Sequence, residues 1–281
     1  MTNHEKKLTQ PAGHPILWLD YVDYAADLLA AGAPPWLHVA DCIAWLRKAQ
    51  GLLHSDVVTL PVNELTRAWI SAHANLRQSM AARRKVGYPL KALLGDAALR
   101  EYLIELLSGL RASFGGTILA LTCPVPEAWI AEAYEDAFGD GASTEIDDDA
   151  VDAAAVHIAD FLRIFGQSGL DVLLLTGMTG AVTRIESRLE LYQPIFNVCG
   201  HYRWDAGLLA ADGTGDAMPP DMTFAVTRAS TPGGRGLVLV PESFWTEGSV
   251  QKNALGERLY ARIPAHGTPE TVLQRLSSLR Q

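Results

Sequence analysis

The sequence predicts an α/β fold, a single (β/α)8 barrel of the TIM type, and three observations predict it. Eight short apolar runs fit strands, segments with helical spacing separate most of them, and the strongest runs are apolar without alternation. A continuous apolar run marks a strand covered on both faces, as in a parallel sheet. Eight βα units in roughly 225 residues match a closed barrel.

In chain order, a polar first dozen residues precede an amphipathic helix expected over 16–29, which Pro34-Pro35 terminates, and a second helix over 36–53. Residues 1–54 are therefore expected to form an N-terminal helical extension, and residues 55–281 the barrel, as one structural domain. The first barrel strand is expected at 57–60 and is followed by a long helix over 63–84 that ends in Arg83-Arg84-Lys85. Residues 88–94 fit the second strand. Asp96 can cap the next helix, in which Leu99, Tyr102, Leu103, Leu106, Leu107 and Leu110 recur at helical spacing until Gly115-Gly116.

The third strand, 117–122, runs into Pro124-Val125-Pro126, which opens a helix. An acidic stretch over 135–149 follows, with Asp149 as the expected cap of a helix over 150–165. The remaining strands are expected at 171–176, 194–199, 222–227, 236–240 and 259–263. Thr268 and Pro269 then start a last helix with Val272, Leu273, Leu276 and Leu279 on one face. A doubly wound open sheet is the alternative, because the fifth to seventh connections are short. No Gly-x-Gly-x-x-Gly follows an early strand, there is no Walker motif, and Gly177-Met178-Thr179-Gly180 is only a tight turn.

A net charge of −9 without a long Lys/Arg run gives no general attraction for nucleic acid or an anionic membrane. Three widely spaced cysteines, Cys42, Cys123 and Cys199, make a disulfide framework unexpected, and no signal peptide or membrane span is visible. These features fit a cytoplasmic protein whose partner is a small-molecule substrate, with homodimerisation left open.

In a parallel barrel the reactive groups lie just past the carboxyl ends of the strands. That rule selects Asn63, Glu64 and Arg67 after the first strand, and Cys123 and Trp129 after the third. It selects Thr176 and Met178 after the fourth, Arg228 after the sixth, and Glu242, Phe244 and Trp245 after the seventh. The densest set, Asn197, Cys199, His201, Tyr202, Arg203 and Trp204, follows the fifth. His201 can move a proton near neutral pH and Tyr202 can bond a developing oxyanion, while Arg203 can clasp a carboxylate. The plainer reading of the same residues is that they satisfy the barrel rim. Glu242, among aromatics, is a general acid or base or the ion-pair partner of Arg228. Cys123, Cys199 and His201 would supply three zinc ligands, although buried cysteines are commonly inert and no metal is expected.

The Leu-Thr-Cys-Pro-Val-Pro segment at 121–126, the Pro-Ile-Phe-Asn-Val segment at 194–198 and the Ile263-Pro264 to Thr268-Pro269-Glu270 ending resemble the uroporphyrinogen decarboxylase superfamily. That superfamily also holds cobalamin-dependent methyltransferases and is similar to the cobalamin-independent methionine synthase barrel. The resemblance implies a barrel and a decarboxylase-like activity, or a zinc- or corrinoid-linked methyl transfer. The arginine-rich N-terminal segment of the decarboxylases has no counterpart, since Arg47 is the only arginine in residues 1–50. Where the methyltransferases carry His-x-Cys and a later Cys, this chain has Cys199-Gly200-His201 and no later Cys.

The expected function is thus a cofactor-independent lyase acting on a small carboxylated, aromatic or cyclic molecule. His201, Glu242 and Tyr202 would be catalytic, and Arg203, Arg228, Asn197, Glu64, Trp129 and Trp245 would bind the substrate. A superfamily methyltransferase and a non-enzymatic small-molecule-binding barrel are the alternatives.

Overall fold

In the computed structural model, which describes residues 8, 16–177, 188–209, 219–228, 236–248 and 258–280, eight parallel strands curl into a nearly closed barrel. The strands are β1 (Ile16–Asp20), β2 (Val57–Pro61), β3 (Ile118–Pro124), β4 (Val172–Thr176), β5 (Asp205–Leu209), β6 (Phe224–Thr227), β7 (Gly236–Leu239) and β8 (Arg258–Arg262). Their order is β1-β8-β7-β6-β5-β4-β3-β2, and the seven pairings between these neighbours are parallel. The described helices are α1 (Val22–Ala30), α2 (Val39–Leu53), α3 (Val62–Ala72), α4 (Ala74–Met80), α5 (Tyr88–Leu94) and α6 (Ala97–Phe114). After β3 come α7 (Pro126–Phe138), α8 (Asp148–Leu162), α9 (Gln193–Tyr202), α10 (Ser243–Glu247) and α11 (Pro269–Leu279).

The barrel expected from the sequence is therefore present, but its strands are not all the expected ones. Residues 16–20 form β1 and pair with β8, so the expected helix over 16–29 starts only at Val22, and the barrel already begins within residues 1–54. A run such as Ile-Leu-Trp-Leu is buried on both faces and has no period to separate strand from helix. Residues 88–94, expected as a strand, form α5, with Pro89 in its first turn and Leu90, Leu93 and Leu94 buried. Residues 194–199, also expected as a strand, lie in α9, which Pro194 opens and which buries Ile195, Phe196, Val198 and Cys199. The strand that follows it, Asp-Ala-Gly-Leu-Leu in β5, was hidden by Asp and Gly, both poor strand formers.

Smaller differences follow from local geometry. The expected helix over 63–84 breaks at His73 into α3 and α4, and Arg83 and Arg84 instead lie over the rings of Tyr88 and Phe138, at 5.3 and 4.9 Å. Asp96 caps α6 as expected, accepting from Leu99 N. Asp147 rather than Asp149 caps α8, accepting from Ala150 N at 2.8 Å.

The lumen is filled by side chains that alternate along the strands. Ile16, Trp18, Val57, Ala120, Val172, Leu174, Phe224, Val226, Leu237 and Tyr260 form one inner cluster, which Leu8 joins. Its largest member, Trp18, donates from Nε1 to Thr59 Oγ1 at 2.8 Å and meets Tyr260 edge-on at 5.5 Å. Gly207 on β5 makes room for the facing ring: a Cβ there would lie 2.2 Å from Phe224 Cζ. Large rings on some strands and no side chain on their neighbours fill the taper of a small barrel. The odd-numbered side chains of β1, such as Leu17 and Leu19, face the helices and belong to the outer core.

Closure between β1 and β2 uses side chains in place of a ladder. Leu17 N donates to Asp56 Oδ2 at 2.8 Å and Asp56 N returns a bond to Leu17 O at 3.0 Å. Ser55 Oγ accepts from Leu19 N at 3.0 Å and donates to Val57 O at 2.8 Å, which wedges a hydroxyl between the strands. The wedge satisfies backbone groups that a parallel ladder would otherwise pair.

Candidate functional site

The carboxyl ends of β1, β2 and β8 gather a set of charged side chains. Asp20 closes β1 on the lumen-facing side, and its Oδ2 accepts from Tyr260 Oη at 3.0 Å and Arg262 Nε at 3.1 Å. Tyr260 is buried, and its hydroxyl is held well above the ordinary range by that burial and by the Asp20 charge. The phenol therefore stays a donor to Asp20 at any physiological pH. Arg262, which ends β8, is half exposed at the mouth with its guanidinium anchored on Asp20.

Glu64 enters this set from the first turn of α3, immediately after β2. Burial, followed by the charges of Asp23 and Asp20, pushes its carboxyl up to about 7, against the opposing pull of Arg67 and Arg262. Burial raises a carboxyl because the charged form loses water, and neighbouring carboxylates add to the cost. The result is a group that changes charge near neutrality and remains partly open to solvent.

One turn further along α3, Arg67 reaches Glu132 Oε2 at 3.6 Å and Asp136 Oδ1 at 3.9 Å on α7. Asn63 also hydrogen-bonds Glu132, and the Glu132 and Asp136 carboxyls are both raised by burial although Arg67 opposes it. A second carboxylate stands beyond β3: Glu127, in the first turn of α7, accepts from Tyr192 Oη at 2.6 Å. Its other oxygen, Oε1, is buried without a hydrogen-bond partner among the described residues. Burial and the adjacent Glu127 charge raise the Tyr192 phenol.

The residues expected from the sequence divide between the two ends of the barrel. His201, Tyr202 and Arg203 end α9 and precede β5, so they lie at the amino end of that strand, away from the rim that carries Glu64. There Tyr202 stacks on Trp204 at 5.1 Å, meets His201 edge-on at 4.7 Å, and fills the space that a side chain at Gly166 would take. Arg203 is the left-handed C-cap of α9 with φ of 61°. Asn197 is exposed on α9 and accepts from Gln193 Nε2.

Trp129 is buried in α7 against Phe161, and Trp245 is buried in α10, so neither lines an open mouth. Arg228 and Glu242 follow β6 and β7 at the carboxyl end and are exposed, on the strands opposite Glu64. Met178 lies outside the described residues. Cys123 and Cys199 are buried on β3 and α9 while His201 is exposed, and among the described residues no group of three His, Cys, Asp or Glu is arranged to hold a metal.

Of the expected set, then, Glu64 and Arg67 stand in the charged cluster with Asn63 beside them, and Asp20, Asp23, Tyr260, Arg262, Glu127 and Tyr192 were not selected. Asp20 and Arg262 have a legible signal, since each is the charged residue that ends an apolar strand, in Ile-Leu-Trp-Leu-Asp and Leu-Tyr-Ala-Arg. Among the described residues no helix is long and apolar enough to cross a membrane. No protein-family model and no curated protein matches this chain.

Proposed function

We propose that the chain is a lyase that moves a proton on a small molecule bound at the β1-β2-β8 sector of the rim, using its own side chains. Glu64 takes the proton in this reading, and Arg262 bears on the negative charge that develops on the substrate. The observation that supports it is the seat of Glu64: a half-buried carboxyl flanked by Asp20, Asp23, Arg67 and Arg262 at the carboxyl end of a parallel barrel. A general base is most effective when its protonation changes near the working pH. Asp20 acts as a positioning residue, fixing Arg262 while Tyr260 fixes Asp20. The resemblance of the sequence to a decarboxylase superfamily supports the lyase class, with Glu64 in place of His201 as the proton-moving group.

The test is a screen of small carbonyl, amine and carboxylate compounds in D2O, with loss of carbon-bound hydrogen or of substrate followed by NMR. Glu64→Gln is expected to reduce turnover by ~10²–10⁴ without lowering the melting temperature. The rate of the parent protein is expected to fall as the pH drops through about 7. A Glu64→Gln protein as active as the parent would refute this assignment, and so would a loss of activity in His201→Asn with none in Glu64→Gln.

A further inference from the structure

Strand alternation decides what stands over the lumen at the carboxyl end of the barrel. Side chains two apart on a strand share a face, so Asp20 lies above Trp18 and Arg262 above Tyr260. Asp20 and Arg262 are also register partners on β1 and β8, and together they crown the inner cluster that holds Trp18 and Tyr260. The buried Tyr260 hydroxyl donates to Asp20 Oδ2, and the same oxygen accepts from Arg262 Nε. Among the described residues Asp20 is the one carboxylate within ion-pair distance of this guanidinium, and it engages Nε alone. The Arg262 side chain is half open to solvent, so its terminal amino groups keep donors to spare at the mouth. The floor beside it is apolar. Leu239 ends β7, pairs in register with Tyr260 and packs on the inner cluster, as does Leu209 at the end of β5, and both stay partly open.

We infer that the substrate of this mouth is an apolar carboxylate, its anionic end clasped by Arg262 and its body lying over Leu239. The inference rests on the rim as the binding site and adds a substrate class to that reading. A guanidinium meets a carboxylate with two parallel N–H donors in short charge-assisted bonds. The brace of Tyr260 and Asp20 fixes its direction beforehand, so less freedom is lost when the ligand is clasped. Asp20 keeps both of its donors, since the ligand takes the opposite edge of the fork. A phosphate fits less well. It favours the backbone N–H groups of a helix N-terminus, and the helices that follow β1 and β2 carry Asp23 and Glu64 in their first turns.

The test is NMR titration of the intact chain with benzoate, acetate, their amides and inorganic phosphate, at pH 6 and low salt. Benzoate is expected to bind about tenfold or more above benzamide, and more tightly than acetate or phosphate. In the parent protein the Arg262 side-chain N–H signals are expected to shift with benzoate and to stay in place with benzamide. Arg262→Gln is expected to weaken benzoate about tenfold or more, and Arg262→Lys several-fold, because lysine keeps the charge and loses the fork. Leu239→Ser is expected to weaken benzoate and to leave acetate unchanged. Benzoate binding that Arg262→Gln does not alter overturns the inference, because the anion is then held elsewhere. Equal binding of benzoate and benzamide, a preference for phosphate, or binding of none of the five also overturns it. The catalytic reading fails separately, if Glu64→Gln retains turnover while Arg262→Gln still abolishes carboxylate binding.

Discussion

Replacing Gly207 with Ala tests the packing of the lumen directly. The added Cβ would lie 2.2 Å from Phe224 Cζ, 2.3 Å from Cε2 and 2.6 Å from Cε1, all well inside contact distance. The ring has no cheap retreat: Phe224 is 1% exposed and stands 6.2 Å from Trp18, whose indole is pinned by Thr59 and edged by Tyr260. Overpacking of a tight core costs about 1–3 kcal/mol. For a chain of this size each kcal/mol is worth about 2–4 °C, so the variant is expected to melt about 2–12 °C lower. Thermal unfolding by circular dichroism measures it, together with Phe224→Leu alone and the double variant. If the clash is the cause, Phe224→Leu should cost less in the Gly207→Ala background than on its own, with a coupling of about 1 kcal/mol or more. Additivity within about 0.5 kcal/mol, or an unchanged melting temperature in Gly207→Ala, would refute the reasoning.

Three further outcomes are expected. Asp147→Ala removes the cap that accepts from Ala150 N and should cost about 1 kcal/mol, read from denaturant midpoints, while Asp149→Ala should cost less. Arg111→Met leaves the Asp171 carboxylate, 5% exposed, without the guanidinium 2.5 Å away; breaking such a buried pair should cost about 3 kcal/mol. Glu64 has its folded value raised from 4.5 to about 7, so the folded state binds the extra proton, and stability should fall as the pH rises through that window. Glu64→Gln should remove this decline and stabilise the protein at pH 8 by about 1 kcal/mol, once the water reaching a half-buried group is allowed for. A parent protein equally stable at pH 5 and pH 8 would contradict it.

The fold was legible where strands were apolar and bounded by turn residues, as in β3, β4 and β6. It was obscure where burial erased periodicity. Ile16 to Leu19 are apolar at every position, and α9 reads Ile-Phe-Asn-Val-Cys, which suits either element as a string. These two misreadings account for most of the site errors. Taking α9 for a strand placed His201, Tyr202 and Arg203 after a strand when they stand before β5, and in a parallel barrel that exchange moves a residue to the opposite end. Taking β1 for a helix hid Asp20 as a strand terminus, and with it the partner of Arg262. Glu64 was found because the strand before it was placed correctly. The short bond between Glu127 and Tyr192 joins α7 to the turn before α9, and no local pattern announces a contact between residues so far apart.

The seam between β1 and β2 bears on how the chain reaches this state. With Ser55 and Asp56 in place of a ladder on one side, β1 has its only full pairing with β8, whose Tyr260 lies 240 residues from Asp20. Closing so long a loop earns no hydrogen bonds until the far strand exists, and contacts of such separation slow folding. At about 5–20 residues per second, roughly 10–50 s of synthesis separate the two strands. Throughout that interval Ile-Leu-Trp-Leu has an unpaired edge, the kind of surface that recruits other chains. Among the described strands, the barrel is thus built around a gap beside β1 that β8 fills.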